Sequence, residues 1–259
     1  MKKRYLFFDL DGTLLAGGYE TTYVPESTQL ALRKLREAGH FVSIATGRSH
    51  GMAVDFMELF GIRNMVSDGG NGLTLDGQLL GVEPLDMEAV VSLCAECDVK
   101  GFPWGLVVDD LPRRFSPDSS FLDFTEDTYM ETLVQPGCRP EDFDAVYKVN
   151  IACYEGGEQK LDALRTLPWG RYHDDYFFVE PSDKARGIKR LMDHLGAPYE
   201  DVIVFGDAVN DLSMFLPEWT CVAMGNAAPE LKAHADFVTT DVEDDGIYNA
   251  CVALGLIEE

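Results

Sequence analysis

Positive charge is scarce in this sequence. Its 259 residues hold 21 Lys and Arg against 45 Asp and Glu, a formal net charge of −24. A surface that acidic repels phosphate backbones and anionic lipid heads, which argues against a general nucleic-acid or membrane-surface role. Long apolar runs are missing as well. After Lys2, Lys3 and Arg4, the first apolar stretch is only Tyr5 to Phe8 before Asp9. A signal-peptide core needs roughly 7–15 apolar residues and a membrane span about 20, so neither is expected and a cytoplasmic location is. The six cysteines (Cys94, Cys97, Cys138, Cys153, Cys221 and Cys251) lack framework spacing. Cys94 and Cys97 form a CxxC without a second pair or nearby His to complete a metal set, so they read as reduced thiols packed on a helix. No repeat or low-complexity tract occurs. With 46% hydrophobic and 25% charged residues, extensive disorder is excluded.

What is present is an alternation of apolar runs and helical patterns. Tyr5 to Phe8 reads as a strand, Glu26 to Ala38 as a helix stopped by Gly39, Phe41 to Ala45 as a strand, and Ser49 to Phe60 as a helix ending at Gly61. Near the other end, Lys184 to Leu195 is a helix stopped by Gly196, Val202 to Phe205 a strand and Val209 to Leu216 a helix. Thr220 to Ala223 and Phe237-Val238 add two strands. This pattern predicts a parallel sheet covered on both faces. The middle differs. It reads as a hairpin over Leu73 to Leu80 around Asp76-Gly77, helix Asp86 to Cys97, strands Trp104 to Val108 and Tyr147 to Cys153, helix Glu158 to Leu167, and a hairpin across Asp174-Asp175. Asp109 to Asp144, rich in acids and Pro, reads as loop or irregular helix. The prediction is an α/β core, residues 1–81 and 181–259, split by an inserted α+β domain at residues 82–180.

Chemistry collects in four segments, three of them just after an apolar strand, where the carboxyl ends of parallel strands form a ligand crevice. In Phe8-Asp9-Leu10-Asp11-Gly12-Thr13, two carboxylates lie two residues apart and Gly12 permits a tight turn whose N–H groups can face an anion. Such carboxylates repel unless a cation separates them, and a hard divalent ion, most simply Mg2+, fits oxygen ligands. Thr46-Gly47-Arg48 offers a hydroxyl and a backbone N–H to a phosphate oxygen; Arg48 reads equally as an anion ligand or a surface residue. Lys184 opens a helix, where its charge is unfavourable unless an anion answers it. In Gly206-Asp207-Ala208-Val209-Asn210-Asp211, Asp207 leaves a buried strand and Asp211 lies in the opening turn of the next helix. With Asp9 and Asp11 these acids make a pocket that requires a metal.

In this order the motifs Asp-x-Asp-Gly-Thr, Thr-Gly-Arg, Lys and Gly-Asp-x-x-Asn-Asp resemble the haloacid dehalogenase superfamily of phosphohydrolases, and within it the sugar-phosphatase-like branch with a large inserted cap. Ser67-Asp68-Gly69-Gly70-Asn71-Gly72 resembles a Gly/Asn turn usual in that branch. Pro181-Ser182-Asp183 before Lys184 is more compact than the family's usual spacer. The resemblance implies a Rossmann-like core and two-step phosphoryl transfer from a small phosphorylated metabolite. In it Asp9 is the nucleophile and becomes an aspartyl phosphate. Asp11 is the acid and then the base, and its carbonyl also binds the metal. Asp9, Asp207 and Asp211 hold or orient Mg2+, and Gly12, Thr46, Gly47, Lys184 and Asn210 hold the phosphoryl group.

The same resemblance gives the inserted domain the choice of substrate, with Trp104, Arg113, Arg114, Lys148 and Asn150 as candidate contacts to a polyol. Two rival readings stay open. A phosphomutase would use the same aspartyl phosphate and return it to substrate, and a non-catalytic phosphate- or metal-sensing module would keep it. No feature of the sequence speaks to oligomeric state.

Overall fold

The computed structural model describes residues 2–18, 21–125, 127–171 and 173–258. In chain order the first elements are β1 (Tyr5–Phe8), α1 (Glu26–Glu37), β2 (Phe41–Ala45), α2 (His50–Phe60), β3 (Met65–Ser67), β4 (Gly72–Leu75) and β5 (Gln78–Val82). There follow α3 (Met87–Lys100), β6 (Trp104–Val107), β7 (Arg113–Ser116), α4 (Ser120–Phe124), β8 (Glu131–Val134), β9 (Lys148–Ala152), β10 (Trp169–Gly170) and β11 (Tyr176–Val179). The chain closes with α5 (Lys184–Leu195), β12 (Val202–Gly206), β13 (Thr220–Ala223), α6 (Pro229–Lys232), β14 (Phe237–Val238) and α7 (Gly246–Ala253).

Two compact units share these elements. One comprises the residues up to Arg48, Ala53–Gly81 and those from Asp183 onward; the other comprises Ser49–Met52 and Val82–Ser182. The first is built on an eight-stranded sheet in the order β14-β13-β12-β1-β2-β3-β4-β5. From β14 to β3 every pairing is parallel, and β4 then pairs antiparallel with β3. The central strands β1 (YLFF) and β12 (VIVFG) are almost wholly buried, as expected where helices cover both faces. Phe8 stacks on Phe205 across this pair, ring centroids 4.4 Å apart. The carboxyl ends of β1, β2 and β12 therefore lie side by side. β4 and β5 are joined by Asp76-Gly77, both at positive φ (51° and 81°), the backbone of a two-residue hairpin turn.

The second unit carries a six-stranded sheet, β10-β11-β9-β6-β7-β8, antiparallel except for β7 with β8. Its main core joins α3, through Val90, Leu93, Cys94 and Cys97, to Trp104, Leu106, Val149, Ile151, Phe177 and Val179. Burial pushes both thiols of the CxxC up, that of Cys97 to about 12, and all six cysteines are free and buried. They are packing groups, as expected.

Three local expectations need correction. Glu158 to Leu167 is not one helix but two 3-10 turns, Glu158–Lys160 and Asp162–Arg165, interrupted by an extended Leu161. The buried residues are Leu161, Leu164 and Leu167, a spacing of three that matches the 3.0-residue turn rather than 3.6. Asp109 to Asp144 contains β7, α4 and β8. β8 lies at the sheet edge with Glu131 and Val134 exposed, and β7 buries the cation Arg114 where an apolar residue marks most strands. Val209 to Leu216 forms a 3-10 helix, Val209–Met214, ended before Pro217. The helices α6 and α7 had no counterpart among the expected elements.

Candidate active site

Asp9 follows β1 directly, and its N–H extends the strand pairing by donating to the carbonyl of Phe205 at 3.0 Å. Asp207 follows β12, and Asp211 lies in the next 3-10 turn. One carboxylate oxygen from each of Asp9, Asp207 and Asp211 lies within 4.8 Å of the others. Lys184, the first residue of α5 and only 2% exposed, reaches into this group. Its Nζ donates to Asp9 Oδ1 at 2.6 Å and to Asp211 Oδ1 at 2.5 Å. The unfavourable charge at a helix start is thus answered by two carboxylates. Asp211 is fully engaged, because its Oδ2 accepts the N–H groups of Asp207 at 2.9 Å and Ala208 at 3.1 Å.

Three carboxylates face one ammonium, and the titration behaviour follows. Burial works against the charge of Lys184, but the carboxylates of Asp211 and Asp9 outweigh it and hold the amine above its ordinary range. Burial first, and then the charge of Asp211, push Asp9 well above the usual carboxylate range despite the pull of Lys184. The same two causes raise Asp207 to about 7, against the hydrogen bond from Thr13. The lysine stays charged, and with all three carboxylates ionised the surplus is negative. An all-oxygen, buried, over-negative donor set fits a hard divalent cation. Asp9 and Asp207 have oxygens to offer such an ion, and Asp211 is placed to fix Lys184 and the Asp207 loop.

Gly12 sits at φ +80°, and a Cβ there would stand 2.2 Å from Asp207 Oδ2, so the glycine is what admits the second carboxylate. Its N–H does not face an anion as expected. It donates to the carbonyl of Leu15 at 2.9 Å, closing the small bridge between Asp11 and Leu15. Asp11 is not one of the clustered carboxylates. Its carboxylate is 56% exposed and takes both Nε (2.9 Å) and Nη2 (2.6 Å) of Arg48. Thr46 is buried at the end of β2, and its Oγ1 accepts the N–H of Arg48 at 3.1 Å, with the half-buried Gly47 between them. Asn210 is exposed; its carbonyl accepts the hydroxyl of Ser213 at 3.0 Å, and Ser213 Oγ accepts the N–H of Lys184 at 3.2 Å.

Two supporting contacts went unread in the sequence as roles. Thr13 Oγ1 donates to Asp207 Oδ1 at 2.9 Å, and Asn226 Nδ2 donates to the Gly12 carbonyl at 2.8 Å. Thr13 carried a signal, being part of the Asp-x-Asp-Gly-Thr run. Asn226 carried none, since 214 positions separate it from its partner.

In the six-stranded unit, Trp104 is buried with Nε1 on Asp98 at 2.8 Å. Arg113 pairs with Asp109, Arg114 with Asp127, and Lys148 with Glu180 at 2.6 Å. Asn150 is fully buried, and among the described residues neither Oδ1 nor Nδ2 of its amide has a hydrogen-bond partner.

Comparison with known proteins identifies the family. The sequence profile of the haloacid dehalogenase-like hydrolases matches residues 6–110 and 162–251. A Bacillus subtilis (strain 168) protein named "Putative phosphatase YkrA" is 32% identical over 266 residues, covering 100% of each chain. YitU of the same organism, named a 5-amino-6-(5-phospho-D-ribitylamino)uracil phosphatase, is 26% identical over 95% of each. Among solved structures, the sugar phosphatase BT4131 superposes with a TM-score of 0.77 at 28% identity, over 98% of this chain and 100% of that one. With three-quarters of its length matched and its carboxylates gathered at the strand ends, the chain belongs to the haloacid dehalogenase-like hydrolases and is a phosphatase of that family.

Proposed function

We propose that this phosphatase is a Mg2+-dependent phosphomonoester hydrolase that acts on a sugar phosphate or a closely similar metabolite through an aspartyl phosphate on Asp9. The observation that carries the reading is the arrangement of Asp9, whose buried carboxylate is gripped on one oxygen by Lys184 and lies beside Asp207. A bound divalent cation supplies counter-charge that lets carboxylate and phosphate approach, together with Lewis-acid polarisation of a phosphoryl oxygen.

The chain's own residues do the rest. Lys184 pulls Asp9 toward its ionised form and orients it, and offers its ammonium to the phosphoryl group as charge develops. An oxygen of Asp9 bonds to phosphorus while the bond from phosphorus to the leaving alcohol breaks, and Asp11 gives that alcohol its proton. In the second step Asp11 takes a proton from water, the water oxygen bonds to phosphorus, and the Asp9 carboxylate leaves. Thr46, Gly47 and Asn210 complete the phosphoryl grip, and Gly12 keeps space for Asp207. Mg2+ is assigned to Asp9, Asp207 and the Asp11 carbonyl, with Asp211 orienting that set.

Substrate choice is assigned to the six-stranded unit. Asn150 is the best supported of its candidates, because its buried amide lacks a partner among the described residues, whereas Arg113 and Lys148 are held in ion pairs. The sugar-phosphate assignment is supported by the names of BT4131 and YitU. Six free cysteines suit the reducing cytoplasm.

The mechanism is tested by quenching a turnover mixture with borohydride, which reduces an acyl phosphate to an alcohol. Conversion of Asp9 to homoserine, found by peptide mass spectrometry, is expected. A mixture that releases phosphate with Asp9 unmodified at every time point contradicts the covalent route.

A further inference from the structure

The turn at residues 67–72 has no part in the chemistry above, yet it packs against the helix that carries Lys184. Asp68–Gly70 forms a 3-10 turn after β3, and α5 packs on it backbone to backbone. A Cβ on Gly70 (φ +108°) would stand 2.0 Å from the carbonyl oxygen of Asp183. A Cβ on Gly187 would stand 2.4 Å from Val66 Cγ1 and 2.8 Å from Gly70 Cα. Two glycines therefore meet where two backbones come closer than any side chain permits. Asn71 adds a clamp, its Oδ1 accepting Nη1 of Arg186 at 2.9 Å. At the head of the helix, the Asp183 side chain caps the N–H of Arg186 at 2.9 Å.

Gly187 is three residues after Lys184, so the two share a helix face. The depth to which α5 sinks against Gly70 fixes how far Lys184 extends toward Asp9 and Asp211. We infer that Gly70, Gly187 and the Asn71–Arg186 hydrogen bond are positioning elements for Lys184, the turn at 67–72 serving as a stop against which the lysine helix is seated. The inference rests on the phosphatase reading for its kinetic consequence, but its geometric claim stands apart from that reading. A methyl group at residue 187 forces the helix outward by an ångström or so, and Nζ then loses contacts now at 2.5 and 2.6 Å. Displacements of that size in a positioned group cost up to about a hundredfold in rate.

The test reads position and rate separately on the whole protein. Amine acylation followed by mass spectrometry measures the accessibility of Lys184 whether or not any phosphoester is turned over. Lys184 is expected to be protected in the wild type and to react at least about tenfold faster in Gly187→Ala. Lys148, buried against Glu180 in the other unit, stays protected in both and reports that the remainder is folded. In kinetics, Gly187→Ala is expected to lower kcat about ten- to a hundredfold, with a smaller change in KM. Combined with Lys184→Ala, it adds nothing further. Should Gly187→Ala fail to fold, Asn71→Ala and Arg186→Met, which introduce no clash, take the same tests, with Arg186→Lys restoring part of the loss. Unchanged protection of Lys184 in folded variants overturns the inference, as do losses that multiply in the Lys184→Ala background. A wild type that releases no phosphate while its Lys184 labelling responds as described overturns the functional reading alone.

Discussion

Arg48 holds both carboxylate oxygens of Asp11, through Nε at 2.9 Å and Nη2 at 2.6 Å, while its guanidinium lies 5.2 Å from the centre of the Phe56 ring. The residue assigned to serve the leaving group is therefore parked in an ion pair, and that pair must open before Asp11 can serve. The carboxylate is more than half exposed, so opening is inexpensive, about 1 kcal/mol or less. Arg48→Met is accordingly expected to leave kcat within about fivefold of wild type. A loss of a hundredfold or more, read by steady-state phosphate release, would place Arg48 in the grip on substrate instead.

The acid role of Asp11 predicts a dependence on the leaving group. Asp11→Asn should slow alkyl phosphates by about 10²–10⁴, whereas aryl phosphates, whose leaving groups need little protonation, should lose far less. Comparing a sugar phosphate with p-nitrophenyl phosphate in the two proteins checks this. Equal losses on both substrates remove Asp11 from the acid role.

Asp207 links the site to stability. Its pKa rises from the ordinary 3.8 to about 7 in the folded chain, first through burial and then through Asp211. Between these values the folded state keeps a proton that the unfolded state has released, so stability falls as pH rises from about 4 to 7 and levels off above. Asp9 acts in the same direction. In EDTA, the melting temperature should decline across this window, and less steeply in Asp207→Asn. Added Mg2+ should raise it more at pH 8 than at pH 5.5, since the ion needs the carboxylates free of protons. Identical pH slopes for wild type and Asp207→Asn contradict the assignment.

Much of this was legible in the sequence, for a physical reason. Runs such as Phe41 to Ala45 and Val202 to Phe205 are buried on both faces and therefore read as continuous apolar strands. Asp9 and Asp207 stand out because a carboxylate directly after such a run must lie at the sheet's carboxyl edge. Other features depend on packing that no local pattern records. Leu161, Leu164 and Leu167 fit a helix until the extended backbone of Leu161 separates two 3-10 turns. Arg114 disguises β7 because its charge is buried beside Asp127 and over the Phe121 ring. The N–H of Gly12 is spent on Leu15 by the course of the loop, which the residue's identity does not determine. The bond from Asn226 to Gly12 joins loops at the two ends of the chain.

The measurement that bears most directly on the central claim is phosphate release from a panel of sugar phosphates, nucleotides and small phosphoesters, by wild type and Asp9→Asn, in Mg2+ and in EDTA. The account predicts Mg2+-dependent release concentrated on a few sugar phosphates and abolished in Asp9→Asn, with that variant still folded because the substitution is nearly isosteric. Near wild-type release by Asp9→Asn, or undiminished release in EDTA, would contradict it, and isomerised phosphoester without free phosphate would make the chain a mutase.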